Sequence, residues 1–318
     1  ESMPKACGIA HICWACLRIF VKRRPKMKVF VTGVAGQLGH DVMNDLAARG
    51  YEGIGTDIAP QYSGADDGTA VTTMPYVSLD ITDRDAVEKT ITELKPDVVV
   101  HCAAWTAVDL AEDDDKKAKV HAINADGTQN IADACKKIDA KMVYISTDYV
   151  FDGTKNEPYK PDDRPNPINN YGATKYEGEE AVRSLCEKYY IARTSWLYGH
   201  HGKNFVETMI GLADREEVNV VDDQMGCPTW TVELANGILK LLSKPYGTYH
   251  VCGSGSTTWY GFAKEIYAQA GLEVNLKPCT TDKFPRPAKR PAYSVMDNDK
   301  ICRNWQAALK DYIELRNM

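Results

Sequence analysis

The chain has 318 residues, of which 44% are hydrophobic and 26% charged, and its 44 acidic and 38 basic side chains give a formal net charge of −6. This length suggests about two domains, and the composition is that of a globular protein with a large core. An acidic surface of this kind repels nucleic-acid phosphates. Composition and charge therefore exclude a disordered chain and a small disulfide scaffold, and they predict that nucleic acid is not a partner.

The cysteines and histidines indicate a reduced, cytoplasmic protein without a metal site. Seven of the ten cysteines lie singly between residues 102 and 302, unlike the pattern of a disulfide framework. Cys13 and Cys16 form a Cys-x-x-Cys, but no second such pair lies at metal-binding spacing. The adjacent His200 and His201 have no carboxylate at ligand spacing, and we expect them to face solvent.

Residues 1–26 form an N-terminal extension whose role the sequence leaves open. Its apolar run, residues 6–21, contains Arg18 and is shorter than the roughly 20 residues that a membrane-spanning helix needs. The basic cluster follows this run, whereas in a secretory signal peptide it precedes the run. We expect no membrane association, and we expect the fold to begin at Met27, directly before a strand-like segment.

Short runs rich in β-branched residues alternate with helix-like segments after the extension. Six strand-like runs occur in the first two thirds of the chain: residues 28–32, 53–57, 77–80, 97–103, 141–146 and 190–194. This alternation predicts an α/β fold, a Rossmann-type doubly wound parallel sheet with helices on both faces.

The last third of the chain has fewer strands and more loops rich in Gly and Pro. Helical patterns remain at residues 204–215, 231–243 and 259–270. They predict a smaller α+β lobe at the C-terminus. We therefore divide the chain into a first domain, residues 27–195, and a second lobe, residues 196–318, partly interleaved with the first.

The first strand leads into a glycine-rich loop that opens a helix. Gly33, Gly36 and Gly39 have the spacing Gly-x-x-Gly-x-x-Gly, with Gln37 and Leu38 at the start of the helix. Glycines permit a tight turn and a close approach of the backbone to a pyrophosphate, while the helix N-terminus offers N–H donors and a positive dipole. The sequence therefore predicts a dinucleotide cofactor in the first domain.

Asp57 ends the second strand 24 residues after Gly33, where an acidic residue binds the adenosine ribose. Its carboxylate favours the free 2′-hydroxyl of NADH over the 2′-phosphate of NADPH, and no Lys or Arg lies between residues 50 and 80 to offset its charge. We expect both cofactors to be usable. Further candidates at strand ends are Asp80 and Ile81, which could hold the adenine, and Ala103 and Ala104, which could pass close to the cofactor.

Tyr171 and Lys175, four residues apart in a predicted helix, are the strongest local signal of chemistry. Residues at i and i+4 share one helix face, so the ammonium can lower the pKa of the phenol and reach the ribose hydroxyls of a nicotinamide cofactor. Ser146, at the end of a strand 25 residues earlier, can bind the same carbonyl oxygen as the phenol. These side chains suit the reversible reduction of a carbonyl group.

From Met27 to about residue 300 the chain resembles the extended short-chain dehydrogenase/reductases and, within them, the dTDP-4-dehydrorhamnose reductase family. Five segments in order carry the resemblance: residues 103–112 (AAWTAVDLAE), 146–153 (STDYVFDG), 171–179 (YGATKYEGE), 193–199 (RTSWLYG) and 223–229 (DQMGCPT). The resemblance implies an NAD(P)H-dependent reductase that converts dTDP-4-dehydro-β-L-rhamnose to dTDP-β-L-rhamnose.

The resemblance also implies roles for single residues. It implies a triad of Thr147, Tyr171 and Lys175, with Trp196 packed against the deoxysugar ring. Thr106 and Val108 then line the sugar site, and Thr106 also lies beside the cofactor. The second lobe is thereby expected to bind the nucleotide sugar.

The nucleotide diphosphate needs its own polar partners. Asn204 and Arg290 are candidates, with Arg286 as a more exposed one, because guanidinium groups bind phosphate oxygens in pairs. The resemblance also allows a magnesium ion held by acidic side chains between two subunits, which the sequence does not place, although Glu216 and Glu217 are suggestive. We expect a monomer or a homodimer.

Two other functions fit the same features. A nucleotide-sugar 4-epimerase of the same superfamily would retain NAD⁺ and turn over the 4-keto intermediate. A regulatory subunit resembling that of methionine adenosyltransferase would share the fold without catalysis, since fold alone does not fix function. The presence of Thr147, Tyr171 and Lys175 argues against the second.

Overall fold

The structure is a computed structural model, and it describes residues 26–317. The predictions for the apolar run and the Cys-x-x-Cys of the N-terminal extension concern residues outside this range. Among the described residues, no helix combines the length and the apolar character needed to cross a bilayer.

Seven parallel strands form the central sheet, in the order of a doubly wound dinucleotide-binding fold. From one edge to the other they are β11 (Gly247–His250), β6 (Tyr189–Thr194), β5 (Lys141–Thr147), β4 (Val98–His101), β1 (Lys28–Thr32), β2 (Glu52–Asp57) and β3 (Tyr76–Ser78). Strands such as β4 (VVVH) are fully buried because helices cover both faces of the sheet. The strand order reverses between β1 and β4, where a crevice opens at the carboxyl ends.

Ten α-helices occur among residues 26–317. They are α1 (Gln37–Ala48), α2 (Ala70–Thr73), α3 (Arg84–Leu94), α4 (Asp114–His121), α5 (Gly127–Ile138), α6 (Asn170–Leu185), α7 (Phe205–Gly211), α8 (Thr231–Leu241), α9 (Trp259–Ala270) and α10 (Trp305–Arg316). The Asp83 side chain caps the start of α3, because its carboxylate accepts a hydrogen bond from the Ala86 N–H at 3.0 Å.

Helices from both halves of the chain cover the sheet. α1 and α8 pack on one face through an apolar cluster that includes Leu46 and Ile238. α3, α5 and α6 cover the other face through a cluster that includes Ile91 and Ile131. Both α8 and the edge strand β11 come from the segment predicted to form the second lobe. The predicted α/β class is confirmed, and the boundary between residues 195 and 196 stays a prediction.

The C-terminal part also forms a lobe of its own at the carboxyl edge of the sheet. Three pairs of short strands contribute to it: β7 (Leu197–Tyr198) with β10 (Thr229–Trp230), β9 (Met225–Gly226) with β12 (Thr257–Thr258), and β8 (Val218–Val221) with β13 (Leu276–Cys279). α7, α9 and α10 pack around a core rich in aromatic residues, among them Tyr198, Phe262 and Trp305. This lobe is the predicted smaller α+β unit.

Candidate active site

A cavity of about 1010 Å³ lies between the carboxyl edge of the sheet and the C-terminal lobe. It runs from the loop between β1 and α1 to Trp259 at the start of α9. The predicted site residues that line it are Gly33, Gly36, Gln37, Leu38, Gly39, Asp57, Asp80, Ile81, Ala103, Ala104, Thr106, Val108, Ser146, Thr147, Tyr171, Lys175 and Trp196. The fold thus brings together residues that follow six of the seven central strands, and it adds residues of the second lobe.

The glycine loop is shaped for close contact between backbones. Gly33 has a positive φ of 72°, and a Cβ there would lie 2.7 Å from the Ala103 amide nitrogen. A Cβ on Gly39 would collide with the Gly33 carbonyl oxygen, so this glycine allows α1 to pack closely on the loop. Gly36, the N-cap of α1, brings no side chain to the first-turn N–H groups. These donors are therefore free to bind the pyrophosphate of a dinucleotide.

Asp57 lies at the end of β2 with both carboxylate oxygens oriented by backbone N–H groups. Oδ2 accepts from Ala35 at 3.0 Å and Oδ1 from Ile58 at 2.8 Å. Among the described residues, no Lys or Arg forms an ion pair with this carboxylate. The side chain stands on the cavity wall beside the glycine loop, where the ribose of a bound dinucleotide is expected.

Replacement of Asp57 by Asn should shift cofactor preference toward NADPH, because the change removes the repulsion of a 2′-phosphate and keeps an oxygen that can accept from Ala35. We expect the ratio of kcat/KM for NADPH to that for NADH to rise by about tenfold or more. Steady-state kinetics with both cofactors measure this ratio. Asp57→Ala should shift the ratio in the same direction, and an unchanged ratio in both variants would contradict the assignment.

Tyr171 and Lys175 lie in the first turns of α6, which the Asn169 side chain caps by accepting a hydrogen bond from the Gly172 N–H at 2.7 Å. Both reactive side chains line the cavity. Burial lowers the pKa of Lys175 to about 7, although the Glu179 carboxylate acts in the opposite direction. The Lys175 Nζ lies 4.2 Å from the centroid of the Tyr144 ring.

The pKa of Tyr171 differs in direction from the expected one. Its pKa lies well above the usual value, first because the side chain is buried and second because Asp148 is near, and the Thr147 side chain offsets part of this rise. The sequence had predicted a lowered pKa, since the charge of Lys175 was visible from the spacing and the burial was not. A phenol that keeps its proton at neutral pH is suited to donate that proton to a carbonyl oxygen.

Ser146 has a partner within the protein that the sequence did not predict. Its hydroxyl donates to Glu179 Oε1 at 2.6 Å, although the residue lines the cavity. The Glu179 carboxylate also accepts two hydrogen bonds from Arg193, both at 2.8 Å, and one from Arg183 at 2.6 Å. Glu179 and Arg193 are almost fully buried, and this ion pair behind the site was missed because residues 179 and 193 lie in different elements.

Asp148 is a second site residue that the sequence reasoning missed. It is buried and lines the cavity, and its Oδ1 accepts a hydrogen bond from the Thr147 hydroxyl at 3.0 Å. Burial raises the pKa of its carboxyl group to about 7, against the lowering effect of the Ser294 and Thr147 hydroxyls. Its place directly after Thr147 at the end of a strand was the available signal.

An aromatic wall closes the far end of the cavity. The indole of Trp196 stacks on that of Trp259 with ring centroids 3.6 Å apart and planes 7° apart. Trp196 has a positive φ of 47°, and a Cβ on Gly226 would collide with its ring. Trp259 was read as part of a helix and not as a site residue, because only the fold brings it against Trp196.

The structure does not place Asn204 and Arg290 on the cavity wall. Asn204 is the N-cap of α7: its Oδ1 accepts from the Glu207 N–H at 3.1 Å and its Nδ2 donates to the Gly199 carbonyl at 2.7 Å. Arg290 donates two hydrogen bonds to Asp109, at 2.8 and 2.9 Å. Both side chains thus have partners within the protein, which the sequence did not show, because a residue that caps a helix or forms a paired ion bridge looks the same in sequence as a ligand. Their contacts with the diphosphate stay a prediction.

The two adjacent histidines are more enclosed than expected. The His200 ring stacks on Tyr312 at a centroid distance of 4.2 Å. The His201 side chain is 21% exposed and faces Asp67. Neither imidazole therefore points freely into solvent. Glu216 and Glu217 are exposed, and among the described residues they belong to no cluster that could hold a metal ion.

The affinity for NADH should depend on the charge of Lys175. Because the pKa of this ammonium is about 7, it loses its proton as the pH rises through that value. The positive charge that strengthens its hydrogen bonds to the ribose is lost with the proton. We expect the Kd for NADH to increase between about pH 6 and pH 9. Isothermal titration with NADH avoids the titrating 2′-phosphate. In Lys175→Ala, which should bind more weakly and turn over more slowly, this pH dependence should vanish; a slope that persists would place the titration elsewhere.

The fold and the cavity define the class of protein. A doubly wound parallel sheet, a glycine loop at a helix N-terminus and a Tyr-x-x-x-Lys pair on one cavity wall are features of a nicotinamide-dependent reductase. The chain is an NAD(P)H-dependent oxidoreductase of the extended short-chain dehydrogenase/reductase class. Residues 27–317 match the family described as the RmlD substrate binding domain, and the chain belongs to this family.

Named relatives agree with this assignment. The dTDP-4-dehydrorhamnose reductase of Streptomyces griseus is 40% identical over 303 residues, which cover 90% of this chain and 93% of that protein. The crystal structure of a dTDP-4-dehydrorhamnose reductase from Clostridium acetobutylicum is 45% identical, with a TM-score of 0.83, and the match covers 92% of this chain and 100% of that one. The corresponding enzyme from Bacillus anthracis, solved in complex with NADP, is 39% identical, with a TM-score of 0.82 and coverages of 91% and 99%.

Proposed function

We propose that the protein reduces the C4 keto group of dTDP-4-dehydro-β-L-rhamnose to give dTDP-β-L-rhamnose, with NADPH or NADH as reductant. The observation that carries the proposal is the convergence of Thr147, Tyr171 and Lys175 on one cavity that has a phosphate-binding loop at one end and the Trp196 indole at the other. The names of the relatives support the choice of sugar.

The residues of the first domain suit a dinucleotide. The first-turn N–H groups of α1 would bind the pyrophosphate, the Asp57 carboxylate the adenosine ribose, and the Lys175 ammonium the ribose on the nicotinamide side. When bound, the reduced nicotinamide supplies a hydride. The NADP found in the Bacillus anthracis relative supports NADPH, and Asp57 supports NADH, so we propose dual use.

The side chains around Tyr171 would complete the reduction. As the C4 carbonyl carbon gains a hydride, its oxygen gains the proton of the Tyr171 hydroxyl, and the product is an alcohol. The Thr147 hydroxyl, which donates to Asp148 Oδ1 in the structure, would turn its proton to the same oxygen. Lys175 and the nearby Asp148 set the charge around the phenol. A water molecule can restore the proton of Tyr171 after product release.

The aromatic wall suits a deoxysugar. A 6-deoxyhexose has a methyl group and an apolar ring face, and an indole can cover both without needing a hydrogen-bond partner there. The stack on Trp259 holds Trp196 in place for this contact. Thr106 and Val108 lie on the same cavity, and their methyl groups would add to the apolar surface.

A spectrophotometric assay tests the proposal. The ketosugar is prepared enzymatically from dTDP-glucose, with and without the epimerisation at C3 and C5, and the loss of NADPH or NADH absorbance is followed. We expect stoichiometric oxidation of the cofactor with the epimerised ketosugar and slower oxidation with the unepimerised one. Interconversion of dTDP-sugars by protein that keeps NAD⁺ through dialysis would indicate a 4-epimerase, and a lack of turnover would favour a regulatory subunit.

We also infer a cytoplasmic location and a monomer or homodimer. The location is supported by the seven cysteines among residues 26–317 that form no disulfide.

A further inference from the structure

Three side chains with metal-binding atoms form a cluster at α1. This cluster takes no part in the proposed chemistry. His40 belongs to α1, Asp67 to the connection between β2 and α2, and His201 to the loop between β7 and α7. One ligand atom of each residue lies within 4.8 Å of the others. The fold has therefore brought together three segments that are far apart in the sequence, which is why the sequence alone predicted no metal site.

Two of the three distances between ligand atoms in this cluster match those of a tetrahedral site. The His40 and His201 rings lie with centroids 3.7 Å apart and planes 38° apart, so the His201 ring has to turn for both imidazoles to bind one ion. Asp67 Oδ2 lies 3.1 Å from His40 Nε2 and 3.4 Å from His201 Nε2. With metal bonds of about 2.0–2.1 Å, neighbouring ligand atoms of a tetrahedron are roughly 3.3–3.4 Å apart. Three protein ligands leave a fourth position for water. The Asp67 side chain is 28% exposed, so an ion has a route in from solvent.

The Asp67 carboxylate is held in the orientation that coordination needs. The Thr69 N–H and hydroxyl both donate to Oδ1, at 3.0 and 2.7 Å. Oδ1 is therefore occupied by a neighbouring residue of the same loop. Oδ2 is left to face the two imidazoles, and this division of roles between the two oxygens is what a monodentate ligand requires.

The Nδ1 atom of the buried His40 ring has a hydrogen-bond partner in both tautomers of the neutral imidazole. Its Nδ1 lies 3.2 Å from the Asn44 amide nitrogen and 3.4 Å from Asp41 Oδ1. The Asn44 amide donates to Nδ1 when the proton is on Nε2. When Nε2 coordinates an ion, the proton moves to Nδ1 and Asp41 can accept it. A carboxylate behind a coordinating histidine is a usual feature of metal sites.

We propose that His40, Asp67 and His201 bind a divalent transition-metal ion of the Zn²⁺ type. Two imidazoles and one carboxylate suit Zn²⁺ better than Mg²⁺ or Ca²⁺, which prefer oxygen ligands. An ion bound by His201 and His40 links the loop of residues 199–203 to α1. This loop already contacts the start of α1, because Gln37 Nε2 donates to the Lys203 carbonyl at 3.3 Å. The metal would thus fix one wall of the cavity.

Zinc content measured on the full chain tests the site. The protein is treated with a chelator, equilibrated with ZnCl₂, desalted and analysed by atomic emission. We expect the unmodified chain to hold one more Zn²⁺ than either His201→Ala or Asp67→Asn, two variants of partly exposed side chains that should fold normally by circular dichroism. Asp41→Asn should retain the site with an affinity lower by about 10-fold to 100-fold.

Two controls separate this site from other sources of binding. His121 is an exposed histidine that lies 2.8 Å from Glu177 and 3.3 Å from Asp126, so His121→Ala should lose no Zn²⁺. A variant with Cys7, Cys13 and Cys16 replaced by Ser should still bind the ion. The proposal is overturned if the unmodified chain holds no more zinc than His201→Ala, or if the zinc disappears with the cysteines.

Discussion

Tyr171→Phe should lower kcat by at least about 100-fold, because it removes the proton donor and general acid catalysis contributes roughly 10²–10⁴ in rate. The ring itself remains, so packing around α6 is preserved. Because the phenol is buried and keeps its proton at neutral pH, no charged group is lost with it. The Kd for NADPH or NADH should therefore change little. Steady-state kinetics and a cofactor titration measure the two quantities separately.

Tyr149 provides the matched control. This second tyrosine also lines the cavity, and its ring meets that of Tyr171 edge to face at a centroid distance of 6.0 Å. Tyr149→Phe removes a phenol hydroxyl at the same site. We expect a small loss of turnover from this variant. If Tyr149→Phe were inactive while Tyr171→Phe kept near-normal turnover, the roles of the two phenols would have been assigned the wrong way round.

Glu179→Gln should destabilise the fold strongly. The change leaves the Arg193 guanidinium, whose side chain is 1% exposed, without a compensating charge, and breaking a buried ion pair in this way costs about 3–5 kcal/mol. Glu179 also accepts the Ser146 hydroxyl on the strand that carries Thr147, so the site should loosen with the fold. Urea denaturation followed by fluorescence gives the change in unfolding free energy, from the shift in midpoint at a common slope.

Two further variants test whether the lost stability arises from the unpaired charge. Glu314→Gln removes one partner of an exposed pair with Lys310 on α10, and it should cost less than about 1 kcal/mol. Glu179→Leu combined with Arg193→Met removes both buried charges, and it should be more stable than Glu179→Gln alone. A double variant as unstable as the single one would show that packing, and not charge, dominates at this position.

The parts of the fold that follow from local pattern could be predicted from the sequence. A strand buried on both faces must be mostly apolar, so β1, β4 and β5 were recognised. The predicted ends of β1 are the observed ones, and those of β4 and β5 differ by at most two residues. The glycine loop and the pair Tyr171 and Lys175 were recognised because their spacing along the chain is itself the requirement. In each case the structural constraint acts within a few residues.

Features that depend on contacts between distant segments could not be predicted in this way. No spacing connects Glu179 on α6 with Arg193 on β6, although an arginine inside an apolar strand was a sign that a partner existed. Trp259 was visible only as the first residue of a helix. The pKa of Tyr171 was predicted in the wrong direction because burial depends on the whole surrounding fold, whereas a neighbouring charge can be read from the sequence.

β11 and α8 follow the other six strands of the central sheet in the sequence, and this order constrains how the protein folds during synthesis. When residue 195 has just been made, β6 is an open sheet edge and the apolar side of α1 lacks its α8 cover. Unpaired edges and exposed apolar faces favour association with other chains. The sheet of six strands then lacks its last strand and the helix that covers α1 until residues 231–250 emerge from the ribosome. The nascent chain is therefore most exposed to aggregation, and most in need of a chaperone, in that interval.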